Sequence, residues 1–144
     1  MDARRLALGF AAGAVAVLVF HQGMILLLHL LGYVPNFPWS FRPAGAFGVP
    51  AILNSMFWGG VWGAVFALVK DRIPLGDDLA RGAAFGLLGP WLLGNGLLVP
   101  LIKGGPLLFG FSPVRMLVGA LIGAAFGVGL ALFWRLLASR ARLA

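Results

Sequence analysis

Cysteine is absent from the 144-residue chain, and acidic residues are scarce, with only four against eleven lysines and arginines. Without thiols the sequence excludes disulfides, thiolate metal ligands and cysteine nucleophiles. None of the carboxylates lies inside a long apolar run, so a membrane-embedded proton relay or hard-cation site lacks its usual groups. No nucleophile–base pair, phosphate-binding loop or metalloprotease motif is visible, and we therefore expect no enzyme activity.

Hydrophobic residues make up 61% of the sequence and charged residues only 10%, where soluble domains carry about 25% charge. A water-soluble fold of this size could not hide so much apolar surface. Four runs are long enough to cross a ~30 Å hydrocarbon core, which takes about 20 helical residues. They cover residues 6–31, 46–69, 79–102 and 114–137. We predict an all-α, polytopic integral membrane protein, a four-helix bundle forming a single domain over 1–144.

The basic residues indicate how the chain is oriented in the bilayer. The net charge of +7 is spread beside the apolar runs and forms no block, which favours membrane topology over nucleic-acid binding. With the N-terminus inside, eight lysines and arginines lie on the inner side and three on the outer side. We expect both termini in the cytoplasm, in a bacterial inner membrane. The first run exceeds the 7–15 or so residues of a signal-peptide core, so we expect it to be an uncleaved span.

The outer face is purely basic, through Arg42, Lys103 and Arg115. The second and fourth helices begin on that side, so their positive dipole ends face outward as well. Anionic lipid headgroups are one interpretation of this face, and an anionic or neutral polar solute is another.

The two halves of the chain resemble each other. Residues 6–32 align with 79–105, with 8 identities in 27 positions, and the second run aligns with the fourth at an offset of 60. These matches predict two tandem helical hairpins, 4–72 and 77–140, related as a parallel repeat about the membrane normal. Small residues four apart let helix backbones approach closely in lipid. The predicted packing positions are Gly9, Gly13, Gly59, Gly63, Gly82, Gly86, Gly119, Gly123 and Gly127. Such faces suit a tight bundle, alone or with a homo-oligomer or other membrane subunits.

Between the hairpin elements, prolines and caps mark the turns. The outer loop at 33–43 holds three prolines and several aromatics, and we expect it to lie along the interface as an anchor or to fold back over the bundle. The pair Asp77-Asp78 is predicted to cap the third helix, and Ser112 the fourth. Pro90 and Pro100 should distort the third helix.

A few polar side chains interrupt the apolar runs. Their depths along the helices are similar at 1.5 Å per residue, and polar groups at membrane depth face the bundle. We predict that one cluster holds the candidate ligand-binding residues His21, Gln22, Asn54, Ser55 and Asn95. The alternative is that they only join helices through ordinary interhelical hydrogen bonds. No metal site is expected from two histidines, although a haem held across a dimer through His21 or His29 stays open.

Two functional hypotheses follow. The first is a small transport or channel-like protein, homo-oligomeric, with a polar intramembrane site for a small neutral or anionic solute. The second is a non-catalytic accessory subunit of a larger membrane complex of the respiratory or photosynthetic type. The first is favoured by the repeat and the clustered amides, and the second by the small size, short loops and glycine faces.

Overall fold

Four helices long and apolar enough to cross a membrane dominate the computed structural model, which describes residues 2–141. They are α1 (Ala3–Leu30), α2 (Ala51–Arg72), α3 (Asp78–Lys103) and α4 (Pro113–Arg140). The prediction of an all-helical chain with four candidate membrane spans is confirmed. The predicted single domain also included Met1 and residues 142–144, which lie outside the described range.

Two of the helices contain π-helical turns. The regular part of α1 is Ala3–Ala16, a π turn occupies Val17–His21, and α-helix resumes over Gln22–Leu30. In a π turn the hydrogen bonds span five residues, which widens the backbone locally. Such turns are frequent at functional sites.

The distortion of α3 is longer. Asp78–Gly86 is α-helical, Leu87–Leu98 is π-helical around Pro90, and Val99–Lys103 is α-helical again. Proline has no N–H and its ring clashes with the preceding turn, so the regular ladder cannot pass through Pro90. The sequence predicted a distortion here but not its extent.

The segment before α2 was predicted as helix and is not. Two short strands, β1 (Pro43–Ala44) and β2 (Val49–Pro50), pair antiparallel as a small hairpin. Gly45 and Gly48 between them adopt φ of +70° and +64°, the left-handed region that glycine enters without steric cost. The predicted start at residue 46 is therefore wrong, and α2 begins at Ala51.

The two predicted caps differ. The Asp77 carboxylate accepts a hydrogen bond of 2.8 Å from the backbone N–H of Ala80 at the start of α3. Ser112 lies at the cap position of α4, but its side chain makes no capping hydrogen bond. Pro113 follows it in the first turn, where its fixed φ suits the helix and its missing N–H costs nothing. The link before α4 holds a tight turn at Leu107–Phe111, in which Leu108, Phe109 and Gly110 adopt left-handed φ of +47°, +58° and +66°.

The helices pack in the order α2–α1–α4–α3. Over the described residues, backbone packing is extensive between α1 and α2, between α3 and α4, and between α1 and α4, but not between α2 and α3. The buried core runs along the middle pair, with Ala12, Ala16 and Val17 on α1 and Leu130 and Ala131 on α4. The four helices therefore form an arc with one open side.

Glycines set the two closest interfaces, and they do so in the same register. A Cβ built on Gly13 would collide with the carbonyl of Gly59, and one on Gly86 would collide with the carbonyl of Gly123. Likewise Gly9 faces Gly63 and Ala67, while Gly82 faces Gly127 and Ala131. By these contacts Gly59 corresponds to Gly123 and Gly63 to Gly127, a shift of four residues from the alignment that matched Gly59 with Gly119.

We call the end of the bundle where α1 begins and α4 ends the terminal end. Charged side chains hold the helices together there. Arg5 and Lys70 both pair with Asp71, and Arg81 pairs with Asp78 at 3.2 Å. The cationic groups of Arg5 and Lys70 lie 5.8 and 5.7 Å from the ring centre of Trp134. These contacts join α1, α2 and α4 at this end. We call the opposite end the loop end, and it holds segments 31–50 and 104–112.

A cleft between α2 and α3 as the candidate site

The open side of the arc contains a cavity of about 870 Å³. All four helices and the link before α4 contribute to its lining. Val17 on α1 and Phe126 on α4 are each 3% exposed and form its floor, where the middle pair of helices packs. Trp58 on α2 and Leu98 on α3 are 54% and 51% exposed and form its rim. We call this cavity the α2–α3 cleft.

Four of the five predicted polar residues line this cleft. His21 comes from α1, Asn54 and Ser55 from the first turns of α2, and Asn95 from the π-helical part of α3. The remaining one, Gln22, is 6% exposed but does not belong to the lining. Three helices thus bring their few hydrogen-bonding side chains to one cavity, while Gln22 lies behind it.

The π turns coincide with the cleft. Val17 and His21, the first and last residues of the π turn in α1, both line it. On α3, Asn95 lies within the π-helical segment, and its Nδ2 donates 3.1 Å to the carbonyl oxygen of Pro90, one π turn earlier. That bond uses one N–H of the Asn95 amide and leaves its second N–H as a donor and its oxygen as an acceptor for a ligand. Among the described residues, the side chains of Asn54 and Ser55 make no hydrogen bonds within the chain.

Gln22 joins the cleft to the long outer loop. Its Oε1 accepts a hydrogen bond of 2.8 Å from the backbone N–H of Trp39, and its Nε2 lies 3.3 Å from Nδ1 of His21. A backbone N–H can only donate, which identifies the Gln22 atom that it meets as the oxygen. The other end of the amide is therefore a donor, so Nδ1 of His21 accepts and the proton of the neutral ring is on Nε2. Gln22 sets the tautomer that His21 presents.

Trp39 fixes the outer loop against the same part of α1. Its indole N–H donates 2.9 Å to the carbonyl oxygen of Leu18, inside the π turn. The backbone of Trp39 has φ of +53°, which is unusual for a residue other than glycine. Phe37 and Phe41 of the same loop are instead 62% and 73% exposed. The loop therefore folds back through Trp39 and leaves its other two aromatics outside.

His29 is engaged away from the cleft. Its Nδ1 lies 2.9 Å from the carbonyl oxygen of Val34, and its ring meets Phe37 edge to face with 5.6 Å between ring centres. His29 does not contribute to the cleft lining. Within residues 2–141 no group of three histidine, cysteine or acidic residues lies close enough to hold a metal ion.

Tryptophans are the part of the cleft that the sequence reasoning missed. Trp58, Trp62 and Trp91 all line it. Gly119 was predicted to pack a helix backbone, but a Cβ there would lie 2.6 Å from Nε1 of Trp91, so this glycine makes room for an indole. Trp91 also stacks on Phe109, with 5.9 Å between ring centres. A signal was available, because these tryptophans lie well inside the apolar runs and not at the ends, where tryptophan usually collects.

All three basic residues predicted for the outer face are exposed. Lys103 also lines the cleft, at the loop end. Arg42 and Arg115 do not belong to the lining. No carboxylate lines the cleft. Its chemistry is therefore that of an apolar, aromatic wall with one imidazole, two amides, a hydroxyl and a single cation.

A second cavity, of about 740 Å³, lies at the terminal end around Trp134. Its lining includes the ion-paired groups of Arg5, Lys70, Asp71 and Asp78. Because these charges compensate one another, this cavity fits the closing of the bundle better than the binding of a ligand.

No family model matches this chain, and neither a curated protein nor a solved structure matches it significantly.

Proposed function

We propose that this protein is a small membrane transport protein of channel-like type, which binds a small neutral or anionic solute in the α2–α3 cleft. The observation that supports it best is the meeting of His21, Asn54, Ser55 and Asn95 at one cavity. Its volume of about 870 Å³ falls in the range of ligand sites, roughly 300–1,000 Å³. A mainly apolar wall with a few convergent polar groups is the usual composition of such sites.

The chemistry of the cleft favours neutral or anionic solutes over cations. Lys103 supplies a positive charge, and the N–H of His21 Nε2 and the amides supply donors. Without a carboxylate in the lining, a cation would lose its hydration shell and meet no compensating charge. We do not propose a haem, since His29 is bonded to the outer loop and only His21 reaches the cleft.

The proposal includes a repeat and an orientation. The equal glycine register of the α1–α2 and α3–α4 pairs supports a duplicated hairpin, and repeated units are common in transporters. The excess of basic residues at the terminal end supports placing both termini in the cytoplasm, in a bacterial inner membrane. A homo-oligomer would bring several clefts together, and this part of the proposal rests on the sequence alone.

Flux measurements test the proposal. The purified protein would be reconstituted in liposomes and challenged with glycerol and urea as neutral solutes and with formate and phosphate as anions. We expect flux of at least one of them, and its loss when His21 and Asn95 are both replaced by leucine. The matched controls are His29→Leu and Asn36→Leu, which change the same residue types outside the cleft lining and should keep the flux. Equal flux through the cleft variant and the controls would contradict the proposal.

The open side of the arc also favours a second candidate. A helix of another subunit could fill the gap between α2 and α3, as expected for an accessory subunit of a larger membrane complex. Under this hypothesis no solute flux exists. Mass spectrometry of the gently solubilised native protein would instead detect a bound partner. Replacing the rim residue Trp58 by alanine would release that partner.

A further inference from the structure

The direction in which the α2–α3 cleft opens carries information about its ligand. All of the exposed lining residues are on α2 and α3, whereas the lining residues of α1 and α4 are buried or half-buried. Ile102 and Leu98 on α3 are 81% and 51% exposed, whereas Phe126 on the floor is 3% exposed. The cleft therefore opens sideways, between two helices, as well as toward the loop end.

That side opening lies at hydrocarbon depth. Trp58 is seven residues beyond Ala51, the first residue of α2, which places it about 10 Å from the loop end of the helix. Leu98 is five residues before Lys103, the last residue of α3, a rise of about 7 Å. In a core ~30 Å thick, a molecule reaching this part of the rim comes from among the lipid chains.

The lining of the cleft consists of an apolar surface with a few polar groups. Trp62, between the two helices, approaches Gly94 so closely that a Cβ there would lie 3.2 Å from its ring. Trp58, Leu98 and Val99 continue this apolar surface along the rim. The polar groups Asn54 and Asn95 lie within it, and Lys103 ends it at the loop end. An apolar groove with donors and one cation at its end matches a molecule with a chain and an anionic head.

We propose that the ligand of the cleft is a single-chain amphiphile with an anionic carboxylate or phosphate head, which enters sideways from the bilayer between α2 and α3. Its chain lies against Trp58, Trp62 and Leu98, and its head is held by Lys103 and the two asparagines. This inference rests on the proposed function, because it names the substrate class for the same cleft.

Tryptophan quenching tests the proposal. The whole chain in a neutral maltoside detergent would be titrated with 11-bromoundecanoate and, separately, with a bromoalkyl phosphate, since bromine quenches indoles in contact with it. We expect saturable quenching by one or both, and the relative affinities of the two probes tell a fatty acid from a phosphate-headed lipid. Trp62→Phe should remove much of the quenched signal, and Trp134→Phe, at the terminal end, should leave it. A bromoalkyl maltoside without a charge should bind more weakly.

Lys103→Gln supplies the charge test. We expect it to weaken binding of the anionic probe about tenfold, as the loss of one charge-assisted hydrogen bond does. Arg115→Gln removes a basic residue at the same end outside the lining and should change nothing. Gly94→Leu should abolish binding by filling the groove beside Trp62, with Gly23→Leu as its control, since a Cβ at Gly23 meets nothing within 4 Å.

The outcomes separate this inference from the proposed function. Flux of small solutes without saturable quenching would overturn the amphiphile and leave transport standing. If inorganic phosphate at equal concentration relieved the quenching by the bromoalkyl phosphate, the proposal would also be overturned, because the alkyl chain would then contribute nothing to binding. Saturable quenching that depends on Lys103, with no flux of any small solute, would support the amphiphile and contradict transport of the small solutes.

Discussion

Replacing Gly13 by alanine should loosen the α1–α2 interface. A Cβ at this position would lie 2.8 Å from the carbonyl carbon of Gly59 and 3.0 Å from Cα of Gly63, whereas carbon atoms prefer about 3.5–4.0 Å. The obstacle is backbone, so no side-chain rotation relieves it, and the two helices must separate. Overpacking of this kind costs about 1–3 kcal/mol.

Gly23→Ala in the same helix is the matched control. A Cβ at Gly23 meets nothing within 4 Å, so this variant keeps only the gain of about 0.5–1 kcal/mol from replacing a helical glycine by alanine. Both variants share that gain, and the difference between them isolates the close approach. We expect Gly13→Ala to be about 1–3 kcal/mol less stable than Gly23→Ala.

Unfolding by sodium dodecyl sulfate in mixed micelles, followed by circular dichroism, would measure these free energies. Gly86→Ala should behave like Gly13→Ala, because its Cβ would lie 3.0 Å from the carbonyl carbon of Gly123 and 3.0 Å from Cα of Gly127. Equal stability of Gly13→Ala and Gly23→Ala would refute the reasoning. A difference at Gly13 but none at Gly86 would show that the α3–α4 pair is packed less tightly than the contacts indicate.

Three further predictions concern single hydrogen bonds. Trp39→Phe removes the donor to the Leu18 carbonyl and should cost about 1–3 kcal/mol, seen as faster amide exchange in the outer loop, while unchanged exchange there would contradict the role of Trp39. Asp77→Ala should destabilise α3 by about 0.5–2 kcal/mol through its lost cap, measured in the same detergent unfolding assay. Ser112→Ala loses no capping bond and should be as stable as the parent. Gln22→Leu removes the donor to Nδ1 of His21 and should shift the ring toward a mixture of tautomers. The ¹⁵N chemical shifts of the ring would measure this, and a single unchanged tautomer would contradict the role of Gln22 in setting it.

Sequence reasoning predicted the features that depend on local chemistry. The four helices follow from run length and composition, and the cap at Asp77 from the preference of carboxylates for free backbone N–H groups. Four of the five polar side chains predicted to cluster, namely His21, Asn54, Ser55 and Asn95, line the cleft and Gln22 does not; their binding of a ligand stays a prediction. These residues were found because each is costly in lipid, which leaves few places to put them.

The features that sequence reasoning missed depend on long-range contacts. The π turn at Val17–His21 receives the indole of Trp39 at Leu18, 21 residues along the chain. Gln22 was predicted to lie in the same polar cluster as its neighbour His21. Its amide oxygen instead accepts a hydrogen bond from the Trp39 backbone, a long-range contact that sequence periodicity cannot predict. Gly119 continues a spacing of four with Gly123, but the bulk of Trp91 takes the place where a helix was expected.

The open side of the arc follows from where the glycines and the tryptophans lie. Two of the three closest interfaces are built from glycines on both helices, which let the backbones meet. Between α2 and α3 the facing residues include Trp62 and Phe85, whose ring centres are 6.0 Å apart. Rings of this size keep two helix backbones from meeting, so the same residues that join α2 and α3 also hold them apart. The cleft is then a consequence of side-chain volume, and Trp62 both spaces the helices and lines the site.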